Sequence, residues 1–342
     1  MTQHALTDDN EARERGGRPE LRAPVDHLVP VLVAEELGLD NYCAIRVFAP
    51  AEDDSVSNRL LFCYPGGGYS KEYYDPTFLP NDDYSMARDL ARRGFIVVIA
   101  DHLGVGASSH PAHPELIDIE TMASANSQVV HEVMRWAAEG TLITGMPRRE
   151  DAIAIGIAHS MGAGLLTLQQ ATFRDFAGIV TMGWSAVHMP SSAELVGAKI
   201  TGSRTEGTWP ANSPHYPGYA RVVRGPLQHW AYHWDDVPKD VIEADDAVAV
   251  EFPPCAGRMN APGVLAGPAA TIEEPVFVMM GERDLRLADS DEVRPYSHSP
   301  DVVFFELAAS GHCHNMASTR REAWSRIGAW CASIDPLTDL SA

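Results

Sequence analysis

The run from Asp151 to Gly164, Asp-Ala-Ile-Ala-Ile-Gly-Ile-Ala-His-Ser-Met-Gly-Ala-Gly, constrains the fold of this chain more than any other stretch. It begins apolar and β-branched with no charge after Asp151, as a buried strand does. It breaks at Ala158-His159-Ser160-Met161-Gly162 and resumes with helical character through Leu165, Leu166 and Leu168. A serine at so tight a strand-to-helix turn needs small residues two positions to either side, because its backbone is strained and the flanking elements pack closely. Ala158 and Gly162 meet that need, with alanine where glycine is usual. The turn lifts the Ser160 hydroxyl clear of the sheet and aims the next N–H, that of Met161, at the same space. Ser160 is therefore a candidate nucleophile. A small-x-Ser-x-Gly string also arises by chance, so the rest of the chain must supply the remaining chemistry.

Alternation around this run sets the fold class. Runs at 28–33 and 42–48, parted by Gly38-Leu39-Asp40-Asn41, read as an opening hairpin. A third strand at 59–64 ends in Pro65-Gly66-Gly67-Gly68-Tyr69. Helical spacing at 85–93 stops at Gly94. The β-branched run 95–100 reads as a buried parallel strand ending in Asp101-His102-Leu103-Gly104-Val105-Gly106. A helix at 124–138 stops at Gly140, and a strand at 152–158 and a helix at 162–173 enclose Ser160. Strands at 176–182, 274–280 and 302–307 and an amphipathic helix at 317–333 complete the series. Such alternation predicts an α/β fold, a mostly parallel central sheet flanked by helices, with ligands at the carboxyl ends of the strands.

The stretch 185–270, after the sixth strand, breaks the alternation. It is rich in proline, glycine and aromatic residues, among them Trp209, Tyr216, Tyr219, Trp230, Tyr232 and Trp234. Loops that long usually have a role, and the expectation is a cap or lid over the strand ends. The alternative is a subdomain whose aromatics only pack on the core. The expected organisation is a flexible polar tail at 1–24, a core from 25–184 and 271–342, and the cap at 185–270.

Composition excludes several function classes. A net charge of −21 over 342 residues argues against nucleic-acid and anionic-membrane surfaces. No run approaches the ~20 apolar residues that span a bilayer, and the N-terminal residues lack the apolar core of a signal peptide. Cys43, Cys63, Cys255, Cys313 and Cys331 are scattered and form no C-x-x-C pair. A cytoplasmic chain without disulfides is expected. His229 and His233 have the spacing of helical metal ligands, but the glutamate of H-E-x-x-H is missing. No phosphate-loop pattern occurs, nor a dinucleotide fingerprint at the first strand-to-helix turn. No metal or cofactor is expected, and the expected partner is a small-molecule substrate.

Nucleophilic catalysis by serine needs a base, an acid to orient it and an oxyanion hole. Each has a candidate at the end of an expected strand. Asp284 follows the strand 276–280, with Glu282 as its rival in the same loop. His312 follows the strand 302–307, with Gly311 before it and His314 as a competitor for the role of base. The N–H of Met161 and those of Gly67 and Gly68 would bind the oxyanion, since glycine lets the backbone approach the substrate closely. His159 is expected to shape the elbow, and Asp101 and His102 to stabilise their loop. Tyr69, His159 and Trp184 are candidates for lining a substrate pocket.

These residues resemble the α/β-hydrolase fold superfamily, its serine esterase and lipase-like members in particular. The resemblance rests on Pro65-Gly66-Gly67-Gly68-Tyr69, on Asp101-His102-Leu103-Gly104-Val105-Gly106-Ala107-Ser108, on Ala158-His159-Ser160-Met161-Gly162, and on Gly281-x-x-Asp284 and Gly311-His312. It spans about residues 28–334, in the order serine, acid, histidine. Proline stands where the esterase loop has histidine. The resemblance implies a hydrolase that cleaves a carboxylic ester, lactone or thioester of a mid-sized apolar or aromatic substrate through an acyl-enzyme on Ser160. Carbon–carbon bond hydrolysis or acyl transfer by the same triad, and a non-catalytic small-molecule receptor on the same fold, are the alternatives. Relatives with dehalogenase or epoxide-hydrolase chemistry carry aspartate at the elbow, where this chain has Ser160.

Overall fold

The computed structural model describes residues 19–190, 195, 218–222 and 224–335. Eight strands form one sheet in the order β1-β2-β4-β3-β5-β6-β7-β8. They are β1 (Val25–Pro30), β2 (Tyr42–Phe48), β3 (Arg59–Tyr64), β4 (Ile96–Ala100), β5 (Ile153–His159), β6 (Ile179–Met182), β7 (Val276–Gly281) and β8 (Val302–Leu307). β2 pairs antiparallel with β1 and β4, and all later pairings are parallel. The central strands β4, β6 and β7 are buried along their whole length, which explains their unbroken apolar sequences.

Helices α1 (Met86–Arg92), α2 (Ile119–Glu139), α3 (Met161–Phe173) and α7 (Arg320–Ser333) flank the sheet, with α2 packed on α3 and α1 on α7. The alternation thus forms the mostly parallel, helix-flanked sheet it predicts. Boundaries differ locally. β1 begins before the expected 28–33 because its pairing with β2 runs from Val25↔Val47 to Pro30↔Tyr42, which leaves Leu32 exposed beyond the strand. α2 begins before 124 because the Asp118 carboxylate caps the Thr121 N–H at 2.6 Å and Ile119 and Met122 are buried. β6 begins after 176 because the Phe176 N–H bonds the Gln170 side chain instead of a neighbouring strand.

Of the expected tail, residues 1–18 lie outside the described residues. Residues 20–22 are tied down: Leu21 bridges Pro50, and backbone bonds join Arg22 to Ala49 and Ala51 to Glu20. Of the 185–270 segment, Trp209 and Tyr216 lie outside the described residues. Its described helices are α4 (Pro226–Tyr232), α5 (Lys239–Ala247) and α6 (Ala266–Ala270), with a 3-10 turn at Pro254–Asn260. α6 packs on α3, and the Val250 N–H donates to the Gly68 carbonyl at 3.1 Å. Among the described residues, no helix is long and apolar enough to cross a membrane.

Candidate active site

Ser160 joins β5 to α3 with φ 51° and ψ −121°, a conformation rare for a residue with a side chain. Its N–H donates to the Met182 carbonyl of β6 at 2.8 Å, so the sheet holds the strain. The turn can be this tight because Gly162 has no side chain: a methyl group there would collide with the Pro65 carbonyl oxygen. Ala158 is buried within β5, where its methyl group is accommodated.

His312 lies against the serine, with Nε2 2.9 Å from Ser160 Oγ. Its Nδ1 lies 2.6 Å from Asp284 Oδ1. Burial by itself would raise the Asp284 carboxyl. The imidazoles of His312 and His314 outweigh that and hold it well below the ordinary carboxylate range. An ionised carboxylate only accepts hydrogen bonds, so the His312 Nδ1–H donates to Asp284 and the bare Nε2 accepts from the Ser160 hydroxyl. His314 points Nε2 at the other oxygen, Asp284 Oδ2, at 2.8 Å. The competition between the two histidines is thereby resolved in space: His312 contacts both serine and acid, and His314 contacts the acid. Glu282, the rival acid, bonds the Ala309 N–H at 2.8 Å.

Met161 is the first residue of α3, so its N–H has no intrahelical partner. Gly67 faces it: a methyl group at Gly67 would lie 3.6 Å from Met161 Sδ. Among the described residues, no acceptor bonds the N–H groups of Gly67 or Gly68. Asp101 holds their loop from below. It accepts from the Lys71 N–H at 2.5 Å, the Lys71 ammonium at 2.7 Å and the Ala107 N–H at 2.9 Å. His102 Nε2 donates to the Pro65 carbonyl at 3.1 Å.

Tyr69, His159 and Trp184, the expected pocket residues, are all buried. The Tyr69 hydroxyl bonds Asp245 Oδ2 at 2.9 Å and contacts Cys313 Sγ at 3.0 Å, and its ring lies under the Arg224 guanidinium. His159 is fully buried, stacks on Tyr73 at 4.4 Å, and donates from Nε2 to the His312 carbonyl at 2.8 Å. Its burial, reinforced by the two neighbouring imidazoles, pushes its pKa well below the usual histidine range. Trp184 is buried against Gly164 of α3. Side-chain type suggested a pocket role for these three, and in the structure all three are buried among the partners just given.

A buried cluster that sequence reasoning missed joins the 185–270 segment to the site. Arg224 pairs with Asp245, which also meets Tyr69 and lies 3.3 Å from His233 Nε2. His233, Asp245 and Cys313 offer donor atoms within 4.8 Å of one another. Arg224 already places a positive charge on Asp245, which opposes a metal ion there. The only sequence signal was the density of charged and aromatic residues between 224 and 246. His229, four residues from His233, bonds Asp246 at 2.7 Å instead.

A sequence model of the alpha/beta hydrolase family matches residues 60–324, well over half of the chain. No curated protein sequence matches it. Among solved structures, a monoglyceride lipase from Saccharomyces cerevisiae superposes with TM-score 0.62 at 14% identity, covering 92% of this chain and 96% of its own. A thermophilic esterase from Thermogutta terrifontis gives 0.56 at 14%, covering 92% and 99%. A proline iminopeptidase from Mycobacterium smegmatis gives 0.56 at 16%, covering 90% and 98%. At such identities the likeness is one of fold. The match over 60–324 carries further: this chain belongs to the alpha/beta hydrolase family, and hydrolysis is the chemistry that membership supports.

Proposed function

We propose that the protein is a serine hydrolase that cleaves a carboxylic ester, lactone or thioester through an acyl-enzyme on Ser160. The observation that carries this reading is the unbroken contact chain from Ser160 Oγ to His312 Nε2 and from His312 Nδ1 to Asp284 Oδ1, at 2.9 and 2.6 Å. Ser160 Oγ attacks the substrate carbonyl carbon as its proton passes to His312 Nε2. Asp284 keeps the imidazole in the tautomer that leaves Nε2 bare and stabilises the imidazolium that forms. The N–H groups of Met161, Gly67 and Gly68 bind the oxyanion. The imidazolium then protonates the leaving group. In the second half, His312 takes a proton from water, whose oxygen attacks the acyl carbon; the bond from that carbon to Ser160 Oγ then breaks as the imidazolium returns the proton to Oγ, releasing the acid and free Ser160.

The 185–270 segment acts in this reading as a lid over the strand ends. Phe252, close to Gly67, and the partly buried Val222, close to Gly68, give the side facing the oxyanion loop an apolar character suited to a mid-sized apolar or aromatic substrate. The test is covalent labelling by a fluorophosphonate together with hydrolysis of esters, lactones and thioesters of graded size. Loss of both on Ser160→Ala is expected. A Ser160→Ala variant that retains full turnover would end the proposal.

A further inference from the structure

We infer that His314 is a positioning residue for the proposed reaction: it grips Asp284 on the oxygen that His312 does not use, so that four side chains, Ser160, His312, Asp284 and His314, act as one chain. The inference rests on the hydrolase reading above.

Asp284 is buried and accepts four hydrogen bonds, two on each oxygen. Oδ1 takes the Leu285 N–H at 2.7 Å and His312 Nδ1 at 2.6 Å. Oδ2 takes the Gly281 N–H at 2.7 Å and His314 Nε2 at 2.8 Å. Terminal rotation of a carboxylate is otherwise soft. Two donors per oxygen fix its plane, and that plane fixes where Oδ1 meets His312. Without His314, Oδ2 of this buried carboxylate keeps a single donor.

His314 is fully buried, and its Nδ1 has no partner among the described residues. An unpaired buried nitrogen costs stability, and among the described residues the Asp284 contact is the one polar bond the imidazole makes. The space is shaped for two imidazoles. At Gly183, which has φ 61°, a methyl group would lie 2.9 Å from His314 Cε1 and 3.0 Å from His312 Nδ1. The titratable neighbours are His159, edge-on to His314, with Tyr73 stacked behind it, Cys313, and Tyr232 beside His312. Among the described residues, none of these donates to Asp284.

The full chain tests this. His314→Phe keeps a ring and removes the donor, and His314→Gln returns an amide donor where Nε2 stands. The expected result is a kcat about 10- to 100-fold lower in His314→Phe with KM changed less than about threefold, and most of kcat recovered in His314→Gln. His314→Leu takes the place of His314→Phe if thermal melting shows that the phenyl ring prevents folding. A second readout needs no turnover. The low-field proton resonance of His312 Nδ1–H shifts in His314→Phe and stays near its wild-type position in His314→Gln. Wild-type kcat in a folded His314→Phe, or equal losses in both variants with an unmoved proton signal, would overturn the inference. Failure of the wild-type chain to label with a fluorophosphonate overturns the hydrolase reading instead, and the proton resonance still decides the role of His314.

Discussion

The backbone N–H of His312 donates to the carbonyl of Ala231 at 2.9 Å. Ala231 lies in the last turn of α4, where carbonyls lack intrahelical partners. The next N–H, of Cys313, donates to the Tyr232 carbonyl at 2.8 Å. A helix from the segment inserted after β6 thus anchors the loop that carries the proposed base. Changes in that segment should therefore be felt in catalysis as well as in substrate choice.

Gly311 makes this anchoring possible. A methyl group there would lie 2.6 Å from the Tyr232 oxygen and 2.8 Å from that of Ala231. Gly311→Ala is expected to destabilise the protein by about 1–3 kcal/mol and to lower kcat/KM. Gly267→Ala, within α6 and facing open space but followed by Pro268, whose ring offsets alanine's helix preference, should change stability by less than about 1 kcal/mol with unchanged kinetics. Urea unfolding and ester kinetics on both variants check the contrast.

The strain at Ser160 predicts a separation of stability from activity. Glycine adopts a positive φ freely, and alanine does not. Ser160→Gly should lose turnover and gain about 1–3 kcal/mol over Ser160→Ala, which loses turnover without that relief. Equal melting temperatures for the two would show that the backbone at 160 is not strained.

The pair Arg224 and Asp245 is almost wholly shielded from water, at 5% and 0% side-chain exposure. Removing one partner strands the other charge, so Asp245→Leu should cost about 3–5 kcal/mol. Arg224→Met with Asp245→Leu should be less damaging than Asp245→Leu alone. Because the Tyr69 hydroxyl also loses its acceptor, kcat should fall in the single variant. Denaturant titration of both variants and the wild type tests the order.

His102 and His159 have pKa values below the ordinary 6.5, chiefly because burial disfavours their charged forms. Below about pH 6.5 the unfolded chain binds protons that the folded chain refuses. The stability these residues confer is present above that pH and lost as pH falls below it. His159→Gln, which cannot titrate, should flatten the fall in unfolding free energy between about pH 6.5 and 5. An unchanged slope would mean that His159 is protonated in the folded protein.

The periodic features were legible in the chain itself. Each central strand reads directly, because burial on both faces demands an unbroken apolar run. The elbow reads because the tight turn admits only small neighbours at 158 and 162. Asp284 and His312 stood out by their places after β7 and β8, since a parallel sheet brings every such strand end to one edge. Boundaries were less legible, as at Thr121 and Phe176, where one side-chain bond moves an element by several residues.

Local pattern by itself therefore determined the sheet, its flanking helices and the edge at which chemistry could gather. Only the tertiary structure separated His312 from His314, which stand two residues apart in the same loop: both reach Asp284, on different oxygens, and His312 also reaches Ser160. It also turned the Tyr69 hydroxyl toward Asp245 and laid the carbonyls of Ala231 and Tyr232 on the loop of the base. Those choices depend on contacts between residues tens to hundreds of positions apart. Such contacts leave no period in a sequence, because they are made by single side chains meeting across separately formed elements.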